Sequence, residues 1–225
     1  MNDKELNDLK IFYQIRGGSK CVDFFSRYPL GEEWEMNLKM NLERVIFSDT
    51  TPIEKIHAIH EANVFNIHNK NEELKKIELE WWKEYLQREF KVNLKDLDPR
   101  YQDTKTTSQK AQIICHEKLF SNDFFLKFAY MLDIARNTNL NESHRPTILE
   151  LGAGHGTLAR LMKLRYPLCK YIIVDLPEAL FFSYTNLRLN FVDSNFRRCS
   201  TLEELNSAVT DDTDFIFVPS FLTEE

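Results

Sequence analysis

The fold class of this chain follows from one stretch, Ile148-Leu149-Glu150-Leu151-Gly152-Ala153-Gly154-His155-Gly156. An apolar run, interrupted only by Glu150, leads into three glycines at alternate positions. A short apolar run of this kind predicts a buried parallel strand. Glycine permits positive φ and lets a ligand come close to the backbone. The stretch therefore predicts a strand that ends in a ligand-binding loop.

A second strand is predicted further along the chain. Its apolar residues, Tyr171-Ile172-Ile173-Val174, lead into Asp175-Leu176-Pro177. Residues 157–164 have helical spacing, so the order is strand, helix, strand, as in a parallel α/β sheet. Because the carboxyl ends of parallel strands meet at one edge, Asp175 is expected beside the glycine loop. A carboxylate there can accept hydrogen bonds from a ribose 2′,3′-diol.

Two charged features add to this loop site. The helix after the loop begins near Thr157, and its free N–H groups would attract an anionic group of the ligand. Glu150 lies one residue before the end of its strand, where it would favour a cationic group. Together these features indicate a nucleotide-like cofactor that carries both charges.

A glycine-rich turn alone is weak evidence for any particular cofactor. The dinucleotide pattern would place a third glycine at position 157, where this chain has Thr157. Gly-Lys-Ser/Thr does not occur, which excludes the phosphate loop of ATP- and GTP-binding proteins. A nicotinamide or flavin site and a purely structural turn remain as alternatives.

Two motifs carry a resemblance to a known family. The pattern Glu150-x-Gly152-x-Gly154-x-Gly156 resembles the first motif of class I S-adenosylmethionine-dependent methyltransferases. The segment from Val174-Asp175-Leu176-Pro177 to Tyr184 resembles the sugar O-methyltransferase family. An Asp-Leu-Pro step is also similar to that of O-methyltransferases that act on phenols and hydroxyindoles. The resemblance covers roughly residues 146–222.

The resemblance implies S-adenosylmethionine as the cofactor and a sugar hydroxyl, or another small hydroxyl compound, as the methyl acceptor. The predicted cofactor-binding residues are Glu150, Gly152, Ala153, Gly154, Gly156, Asp175, Leu176 and Ser200. Ser200 is included because it follows the third strand, where the adenine would lie, although capping the next helix explains it equally well. The catalytic base is not identified: His155, His116 and His144 are expected at the surface. Pro219 and Ser220 are expected to face the acceptor.

The chain is predicted to have two parts. Residues 1–143 are interpreted as a helical region, and residues 144–225 as a Rossmann-like parallel core. Helices in the first part are predicted at 2–15, 31–47, from Thr51 onward, at 71–90, 108–119 and 122–138. Thr51 is the expected cap of its helix, with Pro52 in the first turn and Glu54 three residues after the cap. In the helix at 71–90, helical spacing places one apolar stripe on a single face: Leu74, Ile77, Trp81, Tyr85 and Leu86.

In the core, strands are predicted at 147–151, 171–175, 194–199 and 214–218, with helices at 157–164, 177–190 and 201–209. The last of these helices has a threonine cap, with Glu204 three residues after it.

The resemblance implies a seven-stranded sheet, and four strands are predicted here. We therefore expect either a truncated chain or a partner that covers the open sheet edge, including a second copy of the chain. A truncated, non-catalytic module that binds cofactor or a partner is the alternative to an enzyme.

Composition bounds the remaining function classes. The chain has 225 residues, a net charge of −6 and 43% hydrophobic residues, which suffices for a sizeable core. It has no basic stripe, so a nucleic-acid partner is not expected. No apolar run is long enough to span a membrane, and the N-terminus lacks the order of a signal peptide. Four scattered cysteines and an unmatched His57/His60 pair predict a cytoplasmic protein without a metal site.

Overall fold

The structure is a computed structural model, and it describes residues 26–27, 43–62, 72–103, 106–108, 112–140 and 145–224. Its α-helices include α1 (Glu43–Ile46), α2 (Pro52–Ala62), α3 (Glu72–Phe90), α4 (Asn122–Asn137), α5 (Thr157–Arg165), α6 (Pro177–Asn190) and α7 (Leu202–Thr210). The strands are β1 (Gln112–Cys115), β2 (Lys118–Ser121), β3 (Thr147–Leu151), β4 (Lys170–Asp175), β5 (Phe196–Arg198) and β6 (Phe215–Pro219). The helix predicted at 2–15 and most of the one at 31–47 lie outside the described residues.

The core is an α/β unit around a parallel four-stranded sheet, which confirms the predicted α/β fold class. The strand order is β3-β4-β6-β5, and all three pairs are parallel. The register places Leu151 opposite Val174, and Asp175 opposite Pro219. The fourth strand of the core, β6, therefore lies beside the second, β4, and leaves β3 at the edge. In the doubly wound dinucleotide-binding order the fourth strand lies beside the first.

Helices cover both faces of this sheet. Helices α5 and α6 pack on the face that carries Tyr171, Ile173, Phe215 and Phe217. Helix α7 packs on the opposite face, against β6. The chain moves from β3 through β4 to β5 with helices on one face, and returns to β6 with α7 on the other. The three crossovers therefore share one hand, as parallel connections do.

The exposure of β3 corrects the prediction of a fully buried strand. Leu149 is 60% exposed and Leu151 is 71% exposed, whereas their β4 neighbours Ile172 and Val174 pack with the second core cluster. Because β3 is an edge strand, α7 does not extend over these two leucines. The apolar run correctly indicates a strand, but it does not show which face a helix covers.

A β-hairpin replaces the helix predicted at 108–119. Strands β1 and β2 pair antiparallel, with Gln112 opposite Ser121. Ile113 and Cys115 are buried while Ile114 is 73% exposed, which is the period of two of a strand. His116 and Glu117 form the turn at positive φ (48° and 63°). The region 1–143 is therefore not entirely helical.

Helix α3 is confirmed, but its predicted buried face is wrong in part. Leu79, Trp82 and Leu86 form the buried stripe, and Trp82 stacks on Phe125 of α4 with ring centroids 6.0 Å apart. Three members of the predicted stripe, Leu74, Ile77 and Trp81, are exposed. The helix carries two adjacent apolar stripes, and contact with α4 decides between them.

Several local predictions are confirmed by hydrogen bonds. Glu54 accepts from the Thr51 N–H (2.7 Å), and the Glu54 N–H donates to the Thr51 hydroxyl (3.3 Å), which is the predicted capping box before α2. The hydroxyl of Thr201 likewise accepts from the Glu204 N–H before α7 (3.2 Å). Helix α6 has the predicted bounds. Among the residues described, no helix has both the length and the apolar character that crossing a membrane requires.

A buried ion pair joins the N-terminal part to the core. Arg160 of α5 is 3% exposed and donates to the Asp103 carboxylate (2.8 Å) and to the Gln102 carbonyl (3.1 Å). Burial raises the pKa of Asp103, although Arg160 acts to lower it. The helix that follows the glycine loop is thus anchored to the segment before the hairpin.

Removing the cation tests this anchor. We expect Arg160→Met to lower the free energy of unfolding by about 3–5 kcal/mol, because Asp103 stays buried without its partner. Arg160→Met combined with Asp103→Leu should recover most of the loss. Urea denaturation measures both, and a loss below about 1 kcal/mol in the single variant would contradict a stabilising anchor.

Candidate functional site

The glycine loop adopts the conformation that only glycine accepts readily. Gly152, Gly154 and Gly156 have φ of 74°, 55° and 82°. A Cβ added to Gly152 would meet no atom within 4 Å, so the loop is open there. A Cβ on Gly156 would lie 3.3 Å from the Ser183 Cβ on α6. Gly152 thus leaves room over the backbone, while Gly156 allows α5 and α6 to approach closely.

Asp175 holds this loop against the end of β4. Its Oδ2 accepts from the Gly154 N–H (2.9 Å) and its Oδ1 accepts from the Leu176 N–H (2.8 Å). Burial raises the pKa of Asp175 to about 6, although these backbone donors act to lower it. The predicted meeting of Asp175 and the glycine loop at one sheet edge is therefore observed in the structure.

Glu150 lies on the sheet face that α5 and α6 cover. The Tyr171 hydroxyl donates to its Oε2 (2.8 Å). Burial raises the pKa of Glu150 to about 7, and the negative charges of Asp175 and Asp123 add to the rise. Tyr171 and Lys127 act in the opposite direction. Near neutral pH this carboxyl group therefore changes its charge in response to small changes in its surroundings.

Helix α4 brings two charged residues to the site that the sequence analysis missed. Their charges act on the pKa of Glu150: Asp123 raises it and Lys127 lowers it. Asp123 also interacts with the side chain of Thr157, at the start of α5, and burial raises its pKa. One sequence signal was available: Asp123 follows Ser121, whose hydroxyl caps α4 by accepting from the Phe124 N–H (3.2 Å). This cap shows where α4 begins, but it does not show which residues lie near the start of α4 in the folded protein.

His155 is buried, which corrects its expected exposure. It is 5% exposed, and the Asn186 amide of α6 lies 3.1 Å from its Nδ1 and donates to its carbonyl (3.0 Å). His116 lies in the hairpin turn, and His144 is outside the described residues. His155 therefore helps to hold the loop against α6.

The other predicted site residues lie along the carboxyl edge of the sheet. Ala153 is buried within the loop, and Leu176 caps α6. Ser200 follows β5, which is three strands from β3, or about 14 Å at ordinary strand spacing. Its N–H and hydroxyl both donate to Glu204 (2.6 and 2.7 Å), so it shapes the start of α7. The structure does not bring Ser200 to the glycine loop.

Pro219 and Ser220, which the sequence analysis expects to face the acceptor, lie beside Asp175. Pro219 pairs with Asp175 across β4 and β6, and Ser220 follows directly. Two surface cavities, of about 300 and 430 Å³, lie elsewhere, beside β5 and α7. Residues facing a ligand that extends from the loop along the sheet edge are therefore those after β4 and β6.

The charge around the loop favours a cationic ligand group. Glu150, Asp175 and Asp123 provide three carboxyl groups, and Lys127 is the cation that acts on Glu150. Within the described ranges, no three His, Cys, Asp or Glu side chains are arranged to hold a metal ion. An ammonium or sulfonium group would relieve the repulsion among these carboxylates.

Comparisons with known proteins do not assign the chain to a family. No protein-family model, curated protein or solved structure matches the chain. The function is therefore inferred from the loop site and its motif.

The raised pKa of Glu150 predicts how stability depends on pH. In the folded protein Glu150 keeps its proton up to about pH 7, whereas the ordinary pKa of this group is 4.5. Between these two pH values folding therefore takes up a proton. The free energy of unfolding consequently falls as the pH rises from about 4.5 to about 7. We expect Glu150→Gln to be more stable than wild type at about pH 8, by on the order of 1–3 kcal/mol, and similar at about pH 4.5. Urea denaturation at both pH values measures this, with exposed Glu84→Gln as control. Equal stability of Glu150→Gln and wild type at both pH values would contradict it.

Two alanine variants separate the roles of the glycines. Both positions have positive φ, which costs about 1–2 kcal/mol for alanine. Gly156→Ala also forces Ser183 and Leu187 away, whereas Gly152→Ala meets open space. We expect Gly156→Ala to lower the free energy of unfolding by about 1 kcal/mol or more beyond Gly152→Ala. Thermal denaturation compares them; a Gly152→Ala protein that is the less stable of the two would show that the loop is closed at Gly152.

Proposed function

We propose that this chain binds S-adenosylmethionine at the glycine loop and transfers its methyl group to a hydroxyl group of a sugar. One observation carries the proposal. An open loop of positive-φ glycines lies between Glu150 and Asp175, carboxylates that come from the ends of two adjacent parallel strands. This arrangement suits a ligand with a ribose at one end and a cationic amino acid at the other.

Each residue has a chemical role in this proposal. Asp175 accepts hydrogen bonds from the ribose hydroxyls through lone pairs that Gly154 and Leu176 leave available. Glu150 and Asp123 face the ammonium and sulfonium groups. The methionine carboxylate lies at the start of α5, where the Gly156 cap supplies no side-chain hydrogen bond.

Methyl transfer from a sulfonium depends mainly on alignment of the acceptor oxygen with the methyl carbon. A general base within hydrogen-bond distance of the acceptor would assist it. The strand order puts Pro219 and Ser220 beside Asp175, and we propose that they face the acceptor. The sugar rests on the resemblance of the Asp175-Leu176-Pro177 segment; a phenolic acceptor is the alternative. We also propose a cytoplasmic enzyme, because Cys115, Cys169 and Cys199 are buried free thiols.

A second candidate function is a non-catalytic module that binds a ligand or a partner. The exposed Leu149 and Leu151 on edge strand β3 favour it, because soluble proteins usually cover such an edge. The strand order β3-β4-β6-β5 also differs from the dinucleotide-binding order. Ligand binding without methyl transfer would support this candidate.

Calorimetric titration with S-adenosylmethionine tests the proposal, with NADH as the competing cofactor. We expect S-adenosylmethionine to bind, and Asp175→Asn to weaken binding by about 1–3 kcal/mol, because an acceptor for charge-assisted hydrogen bonds is lost. Exposed Asp193→Asn serves as the matched control and should bind like wild type.

Three outcomes would contradict the proposal. Binding of NADH without S-adenosylmethionine would indicate a nicotinamide site. Unchanged affinity in a folded Asp175→Asn protein would exclude the ribose role. Absence of binding by folded wild-type protein would favour the non-catalytic module.

A further inference from the structure

Tyr171 is a buried polar residue that the proposed function does not yet use. It is 1% exposed, and its hydroxyl donates to the Glu150 Oε2 (2.8 Å). Within the described part of the chain, Glu150 has no other hydrogen-bond donor. Among the residues that the structure describes, the hydrogen bond to this carboxylate therefore comes from a residue two strand positions below the site.

The sheet register explains how the two side chains meet. Ile173 is the β4 neighbour of Glu150, and Tyr171 lies on the same face, two residues before Ile173. That spacing is about 7 Å along a strand, which the length of a tyrosine side chain can span. Tyr171 is also fixed on its other side, since Phe215 is its neighbour on β6. The hydroxyl is thus held at the base of the site by the core itself.

We infer that Tyr171 is a positioning residue, which orients the Glu150 carboxylate towards the cationic group of the ligand. The inference rests on the proposed function, because it assigns Glu150 to that group. Tyr171 touches no part of the proposed ligand and acts only through Glu150.

The titration behaviour of the two groups supports this role. Burial and the charge of Glu150 raise the pKa of Tyr171 far above its usual value, so the hydroxyl keeps its proton and always donates. That hydrogen bond lowers the pKa of Glu150, which burial has raised to about 7. The charged groups that act on the pKa of Glu150 are Asp175 on β4 together with Asp123 and Lys127 on α4. Burial has the largest effect on this pKa, and among the groups that lower it the Tyr171 hydroxyl has a larger effect than Lys127.

Tyr171→Phe removes the hydroxyl and keeps the ring in the core. We expect the pKa of Glu150 to rise by about one unit, so that ionised Glu150 at pH 7 falls about fivefold and affinity for S-adenosylmethionine falls equally. The ratio of wild-type to variant affinity should then return towards one by about pH 9. Calorimetry across this pH range measures the ratio. Because both proteins bind the same ligand at each pH, the protonation of the ligand affects both affinities equally and cancels in the ratio.

Two controls separate positioning from general damage. Tyr166→Phe removes another buried tyrosine hydroxyl, which accepts from Arg165 (3.3 Å), and should leave the pH profile unchanged. Adding Tyr171→Phe to Glu150→Gln should cause no further pH-dependent change. Carbon NMR titration of the Glu150 carboxyl in ligand-free protein, assigned with Glu150→Gln, reports the pKa directly.

The outcomes distinguish the inference from the proposed function. A raised Glu150 pKa together with a pH-dependent affinity ratio supports the inference. Wild-type binding with a Tyr171→Phe ratio that is constant across pH overturns it and leaves the proposed function in place. If folded wild-type protein binds no S-adenosylmethionine at any pH, the proposed function fails, and the inference fails with it.

Discussion

The carboxylate of Asp175 makes the contact on which the rest of the site depends. By accepting from the N–H groups of Gly154 and Leu176, it joins the loop after β3 to the turn between β4 and α6. The loop keeps three residues at positive φ, and the contact of His155 with Asn186 holds its other side against α6. A helix follows each of these turns, so the same contact sets how α5 and α6 begin. Asp175 therefore contributes both to the conformation of the loop and to the proposed binding of the ligand.

The site places carboxyl groups where folding alone would not favour them. Glu150 and Asp175 both have raised pKa values, because burial penalises their charged forms. A structure selected only for stability would hold neutral groups at these positions. The arrangement is understandable if a cation completes it, because the ligand then supplies the charge that the protein lacks. Burial thus favours the neutral form of Glu150, whereas the proposed binding of a cation needs the ionised form. The hydrogen bond from Tyr171 lowers the pKa of Glu150 and so favours the ionised form.

Local features of the fold were predictable, whereas features that depend on the pairing of distant segments were not. The bounds of Pro177–Asn190 and the meeting of Asp175 with the glycines follow from spacing, caps and the geometry of parallel strands. The hairpin was missed because its strands are short and their alternation covers few residues. The roles of Tyr171 and Asp123 depend on register and on the packing of α4, which no local pattern encodes. The same limit applies to the place of Ser200, since strand order determines its distance from the loop.

We propose that the glycine loop is a binding site for S-adenosylmethionine. The most direct measurement is a crystal structure of the protein with S-adenosylhomocysteine, the product that methyl transfer would leave. We expect the ribose hydroxyls on Asp175, the adenine along the carboxyl edge of the sheet, and the amino-acid end between Glu150 and the start of α5. A ligand bound away from Gly152, or a loop left empty at saturating ligand, would contradict it.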